Sequence, residues 1–213
     1  MSNHSQILDG LIPHDSVSTY QSIHKPSLEE VYQSIGHSNT RFVRMTQVHG
    51  NQATWIDKSH LSEPGESIEI KDTDALITQE KDVLLSVKTA DCLPILIAHP
   101  NGVVACIHAG RAGTEAKITS KTLDLIQQKT GLSKGFYIWL GPAICKACYE
   151  IDATQKKHYD LLAKNLDQLS ELSSHSHIIK SNRCTACEHD RFFSYRKGDA
   201  VNRNYSLIKL NGD

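Results

Sequence analysis

The sequence predicts an α/β or α+β domain in which mixed β-sheets are covered by a small number of helices. Three observations lead there: short apolar runs rich in β-branched residues recur from Arg41 onward, two longer segments carry helical spacing, and no βαβ period repeats. With 213 residues and 39% hydrophobic content the chain can bury one substantial core, and a single domain over 1–213 is expected.

Residues 1–40 are polar and weakly patterned; within them "PSLEEVYQSIG" reads as a short helix that begins at Pro26-Ser27 and stops at Gly36. The strand-like runs then follow in order: "RFVRMTQVH", "QATWID", "DALIT", "VLLSVKT", "LPILIAH", "VVACIHAG", "FYIWLG" and "YSLIKL". The segment "TEAKITSKTLDLIQQKTG" places Ile118, Thr122, Leu125 and Ile126 at helical spacing, with Thr114 as N-cap and Gly131 as the terminating glycine. A second helix, "DATQKKHYDLLAKNLDQL", opens on Asp152 as its cap and aligns Tyr159, Leu162 and Leu166 on one face.

The net charge of -1 and the lack of any block of five or six like charges give no field suited to nucleic acid or an anionic membrane. Small-molecule partners are expected, acting on a monomer or small homo-oligomer. The N-terminus lacks a basic stretch followed by an apolar one, and no apolar run reaches ~18 residues, so a cytoplasmic location is expected. In that setting the six cysteines read as thiols and metal ligands rather than disulfides.

Three residues stand at or beside the ends of strand-like runs: His49 in "TQVHGN", Cys92 in "TADCLP" and His108 in "CIHAG". They are 43 and 16 residues apart, which fits no local metal motif. A His/Cys/His set nevertheless suits Zn²⁺, which takes imidazole and thiolate together and keeps a fourth position open for water or substrate. The alternative is two ordinary histidines and a buried cysteine.

Asp91, beside Cys92, is a candidate for orienting a ligand or relaying a proton, or else for capping a loop. "HAGRAGTEA" brings Arg111 to a helix start at Thr114, a candidate phosphate site, or a plain turn with a cap. "FFSYRKGDAVNRN" offers Tyr195, Arg196, Arg203 and Asn204 for stacking or anion contacts, while Phe192 and Phe193 read as packing residues. Two CxxC pairs, Cys145/Cys148 and Cys184/Cys187, have the form of a zinc ribbon with a gap of 35 residues, longer than the usual ~15–20. They read either as a closed structural metal site or as buried or reactive thiols.

Taken together and in this order, "QVHGN", "DALIT", "ADCLPILI", "IHAGRAGT", "GPAICKACYEI" and "CTACEHDRFFSYRKGD" resemble the YfiH family of laccase-domain proteins, also called polyphenol oxidases and later recognised as purine nucleoside phosphorylases. The likeness runs from about Arg41 to the C-terminus. It implies a cysteine-hydrolase-like layered domain and a catalytic zinc on the positions of His49, Cys92 and His108. The implied activity is cleavage of purine nucleosides by phosphate, with deamination of adenosine and phosphorolysis of methylthioadenosine in some members. Two departures matter: where many relatives read HAGWRG this chain has Arg111 and Ala112, and the substrate contacts of the relatives' N-terminal part have no clear counterpart in residues 1–40, leaving Asn39 and Arg41 as candidates by position alone.

Other functions fit the same residues less fully. Cys92 as nucleophile with His108 as base makes a metal-independent hydrolase or amidase, including one that edits cell-wall precursors. A copper-dependent phenol oxidase would use a His₂Cys set but also a multi-histidine cluster. A metal-storage or interaction module would bind through the CxxC pairs alone.

Overall fold

The computed structural model describes residues 7–35, 40–170 and 175–212; Gly36 and Asn39 lie outside them. Among the described residues fourteen strands are formed: β1 (Ile7–Asp9), β2 (Val17–Ser22), β3 (Arg41–Met45), β4 (Ala53–Ile56), β5 (Ser67–Ile70), β6 (Ala75–Thr78), β7 (Val83–Thr89), β8 (Leu93–His99), β9 (Val103–Ala109), β10 (Tyr137–Leu140), β11 (Glu150–Asp152), β12 (Lys157–His158), β13 (His177–Lys180) and β14 (Asn204–Leu210). The helices are α1 (Leu28–Ile35), α2 (Arg111–Glu115), α3 (Ile118–Thr130) and α4 (Leu161–Gln168). One six-stranded sheet runs β1-β2-β14-β7-β3-β5, a second runs β13-β10-β8-β9-β6-β4, and β11 and β12 pair apart from both. Each large sheet mixes parallel and antiparallel pairs, as in β3 with β5 and β8 with β9. The architecture is the mixed α+β class expected.

The apolar runs are continuous because the second sheet is buried on both faces. One face of β6, β8 and β9 presents Leu76, Leu96, Val104 and Cys106 to Val43, Leu85, Val87 and Ile208 of the first sheet. The other face presents Ile95, Ile97, Ala105 and Ile107 to Ile118 and Ile126 of α3. Each fully buried Val, Leu or Ile among them contributes about 1.5–3 kcal/mol relative to exposure.

Register positions the functional residues. In the β8–β9 hairpin Leu93 pairs with Ala109 and Pro94 with His108, so Cys92, one residue before β8, arrives beside His108. β6 pairs with β9 through Ala75 and Ile107, and the His108 N–H donates to Asp74 O at 2.7 Å. β4 lies parallel to β6, which brings the loop before it, with His49, to the same end of the sheet. Three sequence-distant residues therefore meet because three strand ends meet.

Two helices and one strand differ from expectation. Thr114 is not an N-cap: Gly110 caps α2, and Lys117, at φ 62°, separates it from α3, which ends on Gly131 at φ 75° as expected. The helix assigned from Asp152 starts eight residues later. Asp152 accepts the Gln155 N–H in a turn between β11 and β12, and Asp160, which accepts the Ala163 N–H, is the true cap of α4. β2, unforeseen in the weakly patterned N-terminal region, is a central strand whose inward positions include Thr19 and Gln21. α1 opens as expected at Ser27, where Ser27 Oγ accepts the Glu30 N–H and Glu30 Oε2 accepts the Ser27 N–H, a reciprocal cap.

Candidate metal centre and active cleft

The loop carrying His49 is built around one carboxylate. Asp74 is fully buried and accepts the backbone N–H groups of Val48 (3.3 Å), His49 (3.0 Å) and Gly50 (2.7 Å). That triple acceptance holds His49 at φ 60°, a conformation uncommon for residues with a side chain. The same carboxylate lies 2.7 Å from His108 Nδ1. Burial opposes the ionised form of Asp74, but the bonds from His108, Gly50 and Val48 outweigh it and hold the carboxyl below its ordinary range. Burial likewise pushes the His108 imidazole below its ordinary value against the pull of Asp74. Neutral His108 with its Nδ1–H donated to ionised Asp74 satisfies both shifts, and leaves Nε2 as a lone-pair donor.

One donor atom from each of His49, Cys92 and His108 lies within 4.8 Å of the others, and this group can hold a metal ion. The site is shaped for those side chains to converge. A Cβ on Gly110 would stand 2.9 Å from His49 Cδ2 and 3.1 Å from Cys92 Sγ, so the backbone there leaves the space that the donors occupy. A Cβ on Gly113 would meet Gly50 O at 2.5 Å, which shows how closely α2 is pressed on the His49 loop. Burial, followed by the charges of Asp91 and Asp74, pushes the Cys92 thiol up to about 12. A dication is the partner that makes a thiolate favourable at such a position. Two imidazoles, one thiolate and a carboxylate that orients one imidazole match the donor chemistry of a catalytic zinc with an open position.

Asp91, next to Cys92, has φ 89° and commits its carboxylate to three hydrogen bonds. Its Oδ1 accepts from Thr185 Oγ1 and Ser194 Oγ, both at 2.7 Å, and its Oδ2 accepts the Arg196 N–H at 2.7 Å. All three partners belong to the segment before β14, so Asp91 fastens that segment beside Cys92. A cleft of about 570 Å³ opens over His49 and Cys92. Lys88, Arg111, Arg196 and Arg203 contribute four cations to its lining, and Tyr149 and Tyr195 supply aromatic surface. Arg196 donates to Glu150 O at 2.8 Å and lies 5.7 Å from the Tyr149 ring centre; Arg111 pairs with Glu115 at 3.6 Å.

Of the residues singled out by sequence, His49, Cys92, His108, Asp91, Arg111, Arg196 and Arg203 gather at or around this cleft. Thr114 does not: it is buried and its hydroxyl accepts from Asn165 Nδ2 at 3.0 Å, so the phosphate contact assigned to it is withdrawn. Asn204 is also buried, bonded to Phe193 and Thr89, and Phe192 and Phe193 are core residues. Arg41 donates to Ser62 O at the start of β3. Asp74 and Lys88 were not foreseen. Asp74 carries a signal in "TDALIT", a carboxylate at the mouth of a wholly apolar run, and Lys88 is the exposed position of a strand otherwise buried.

Over 196 residues the chain is 29% identical to a purine nucleoside phosphorylase of Campylobacter jejuni, covering 85% of this chain and 83% of that one. It is 30% identical over 152 residues to the adenosine deaminase RL5 of an unknown prokaryotic organism, covering 60% and 58%. Its fold is that of YlmD from Geobacillus stearothermophilus, with a TM-score of 0.83 and 23% identity over 100% of this chain and 98% of that one. The family model described as multi-copper polyphenol oxidoreductase laccase matches residues 21–159 and 152–211, and the chain belongs to that family.

Proposed function

We propose that the protein is a zinc-dependent purine nucleoside phosphorylase, converting adenosine, inosine or guanosine and phosphate to the free base and ribose 1-phosphate. Deamination of adenosine and phosphorolysis of methylthioadenosine are proposed as activities of the same centre. The observation that carries the reading is the meeting of His49, Cys92 and His108 under a cleft lined by four cations. The relatives named phosphorylase and deaminase support it. The reading extends to a single domain over 1–213 working in the cytoplasm.

His49, Cys92 and His108 would hold the zinc, and a bound zinc supplies Lewis acidity and a water of lowered pKa. Asp74 keeps His108 in the tautomer that offers Nε2, and fixes the backbone of His49. Arg111 and Arg196, with Lys88 and Arg203, favour phosphate in the cleft and balance its charge as it approaches the anomeric carbon. Tyr195, 67% exposed, and Tyr149 offer flat surface to a purine. Asp91 acts as a positioning residue, since its carboxylate is committed to Thr185, Ser194 and Arg196. Arg111 stands at the tryptophan position of the family motif, which brings a guanidinium to the cleft from a different residue than in many relatives.

A metal-independent Cys/His hydrolase is the second reading, favoured by the Asp74–His108 bond, which is the orienting contact such an enzyme would use. A reactive cysteine, however, needs a depressed pKa, and Cys92 is pushed the other way. For copper-dependent oxidation, only one of the two metal-competent groups among the described residues contains histidine, and it holds two. The deciding experiment supplies inosine with and without phosphate to the zinc-loaded protein. Hypoxanthine and ribose 1-phosphate formed only with phosphate are expected; base release that ignores phosphate and persists under chelation would favour the hydrolase.

A further inference from the structure

Across the wall of the cleft from the His49 centre lies a second group of soft donors. The chain brings Cys145 and Cys148 to one short 3₁₀ turn, with Cys145 as its cap and the Cys148 N–H donating to Cys145 O at 3.1 Å. Cys184 and Cys187 stand on a second turn, closed by the Glu188 N–H on Cys184 O at 2.9 Å. An isolated bridge between Ala143 and Cys184, with the Thr185 N–H on Ala143 O at 3.2 Å, lays the two turns side by side.

The four sulfurs all lie within 4.8 Å of one another, and Cys148 Sγ and Cys187 Sγ are 3.5 Å apart, yet all four are free thiols. A tetrahedral ZnS₄ centre with arms of about 2.3 Å has sulfur–sulfur edges of about 3.8 Å, so the cage needs only small adjustments to close on an ion. Cys184 Sγ also accepts two backbone N–H groups, from Cys145 at 3.2 Å and Cys187 at 3.4 Å. Such bonds are those a metal-bound thiolate accepts. Without an ion, four crowded sulfurs cannot all ionise; with one, their charge is balanced.

We propose that Cys145, Cys148, Cys184 and Cys187 form a second zinc site, a closed structural tetrathiolate that clasps the 143–149 segment to the 183–188 segment. Each sulfur binds as thiolate, so protons leave the thiols that carry them as Zn²⁺ enters, and no fourth position remains for substrate. The clasp supports the active cleft from behind. The Ile144 N–H donates to Asp91 O at 2.9 Å and Thr185 Oγ1 donates to Asp91 Oδ1 at 2.7 Å, one residue from a clasp cysteine in each case. Tyr149, which follows Cys148, lines the cleft itself. This site stands apart from the catalytic reading, because its donors and its test do not depend on nucleoside chemistry.

The test is zinc content per chain, measured on the full protein after zinc loading and desalting under reducing conditions, with folding followed by circular dichroism. The parent is expected to hold two zinc ions, the His49→Ala/Cys92→Ser variant one, and the same variant with Cys187→Ser added none. Cobalt loaded into His49→Ala/Cys92→Ser is expected to show the charge-transfer and visible bands of a tetrathiolate. That spectrum decides the matter even where Cys187→Ser fails to fold. A folded His49→Ala/Cys92→Ser chain without zinc, or its cobalt form without sulfur charge transfer, would overturn the proposal, whether or not the His49 site is filled in the parent.

Discussion

Asp74 and His108 face each other at 2.7 Å across the β6–β9 ladder, and the same Asp74 carboxylate holds the His49 backbone at 3.0 Å. One buried charge thus sets the side chain of one metal donor and the backbone of another. Asp74→Asn keeps the shape but loses the ionised acceptor. Zinc affinity at the catalytic site is expected to fall about 10–100-fold, the usual cost of losing a partner behind a metal ligand. Competition with a chromophoric chelator measures it, and unchanged affinity would mean that the contact only braces the loop.

Gly110 tests the cradle. In Gly110→Ala the new Cβ meets His49 Cδ2 at 2.9 Å and Cys92 Sγ at 3.1 Å, so the donors must spread while the distant core is untouched. Turnover is expected to drop on the order of 100-fold, as for a misplacement near 1 Å, with the melting temperature little changed.

Arg196→Ala removes one of four cations from the cleft. The KM for phosphate is expected to rise about 10-fold, in line with about 1.5–3 kcal/mol for a hydrogen bond to a charged group, while the KM for inosine changes less. A rise confined to inosine would place Arg196 on the nucleoside instead.

Asp199 ties together the segment before β14 in a way that weakens in acid. Its Oδ2 accepts the Ser194 N–H at 2.8 Å and lies 2.8 Å from His189 Nε2 and 3.5 Å from Lys25 Nζ. Burial opposes its ionisation, but the Ser194 bond, His189 and Lys25 together hold its carboxyl below the ordinary range. The stability it adds is therefore complete above the unfolded-state value near 4 and is lost as pH falls through the lower folded-state value. Denaturant midpoints of Asp199→Asn are expected to lie below the parent near neutrality and to converge with it at acid pH.

The legible parts of this chain were those with one dominant signal. "VLLSVKT" and "LPILIAH" coincide with β7 and β8 because each is a mainly apolar, β-branched run of strand length. β2 was hidden because its buried Thr19, Gln21 and Ser22 side chains bond to backbone groups of Ile12, Ser22 and Tyr205 instead of presenting apolar alternation. The helix start at Asp152 failed because two aspartates with similar downstream patterns compete, and the turn at Gln155 settles the choice. His49, Cys92 and His108 were visible as residue types at strand ends, yet their meeting depends on hairpin register, which a spacing of 16 residues does not display. Asp74 escaped notice because its task is to accept hydrogen bonds from groups far away in the chain.

The central claim is that His49, Cys92 and His108 hold a zinc ion on which phosphorolysis depends. The most direct measurement pairs zinc content with phosphate-dependent inosine cleavage in the parent, His49→Ala and Cys92→Ser proteins. The account predicts that each variant loses one zinc per chain relative to the parent and at the same time loses cleavage. Variants that keep the parent's zinc content, or that cleave inosine as fast without that zinc, would contradict it.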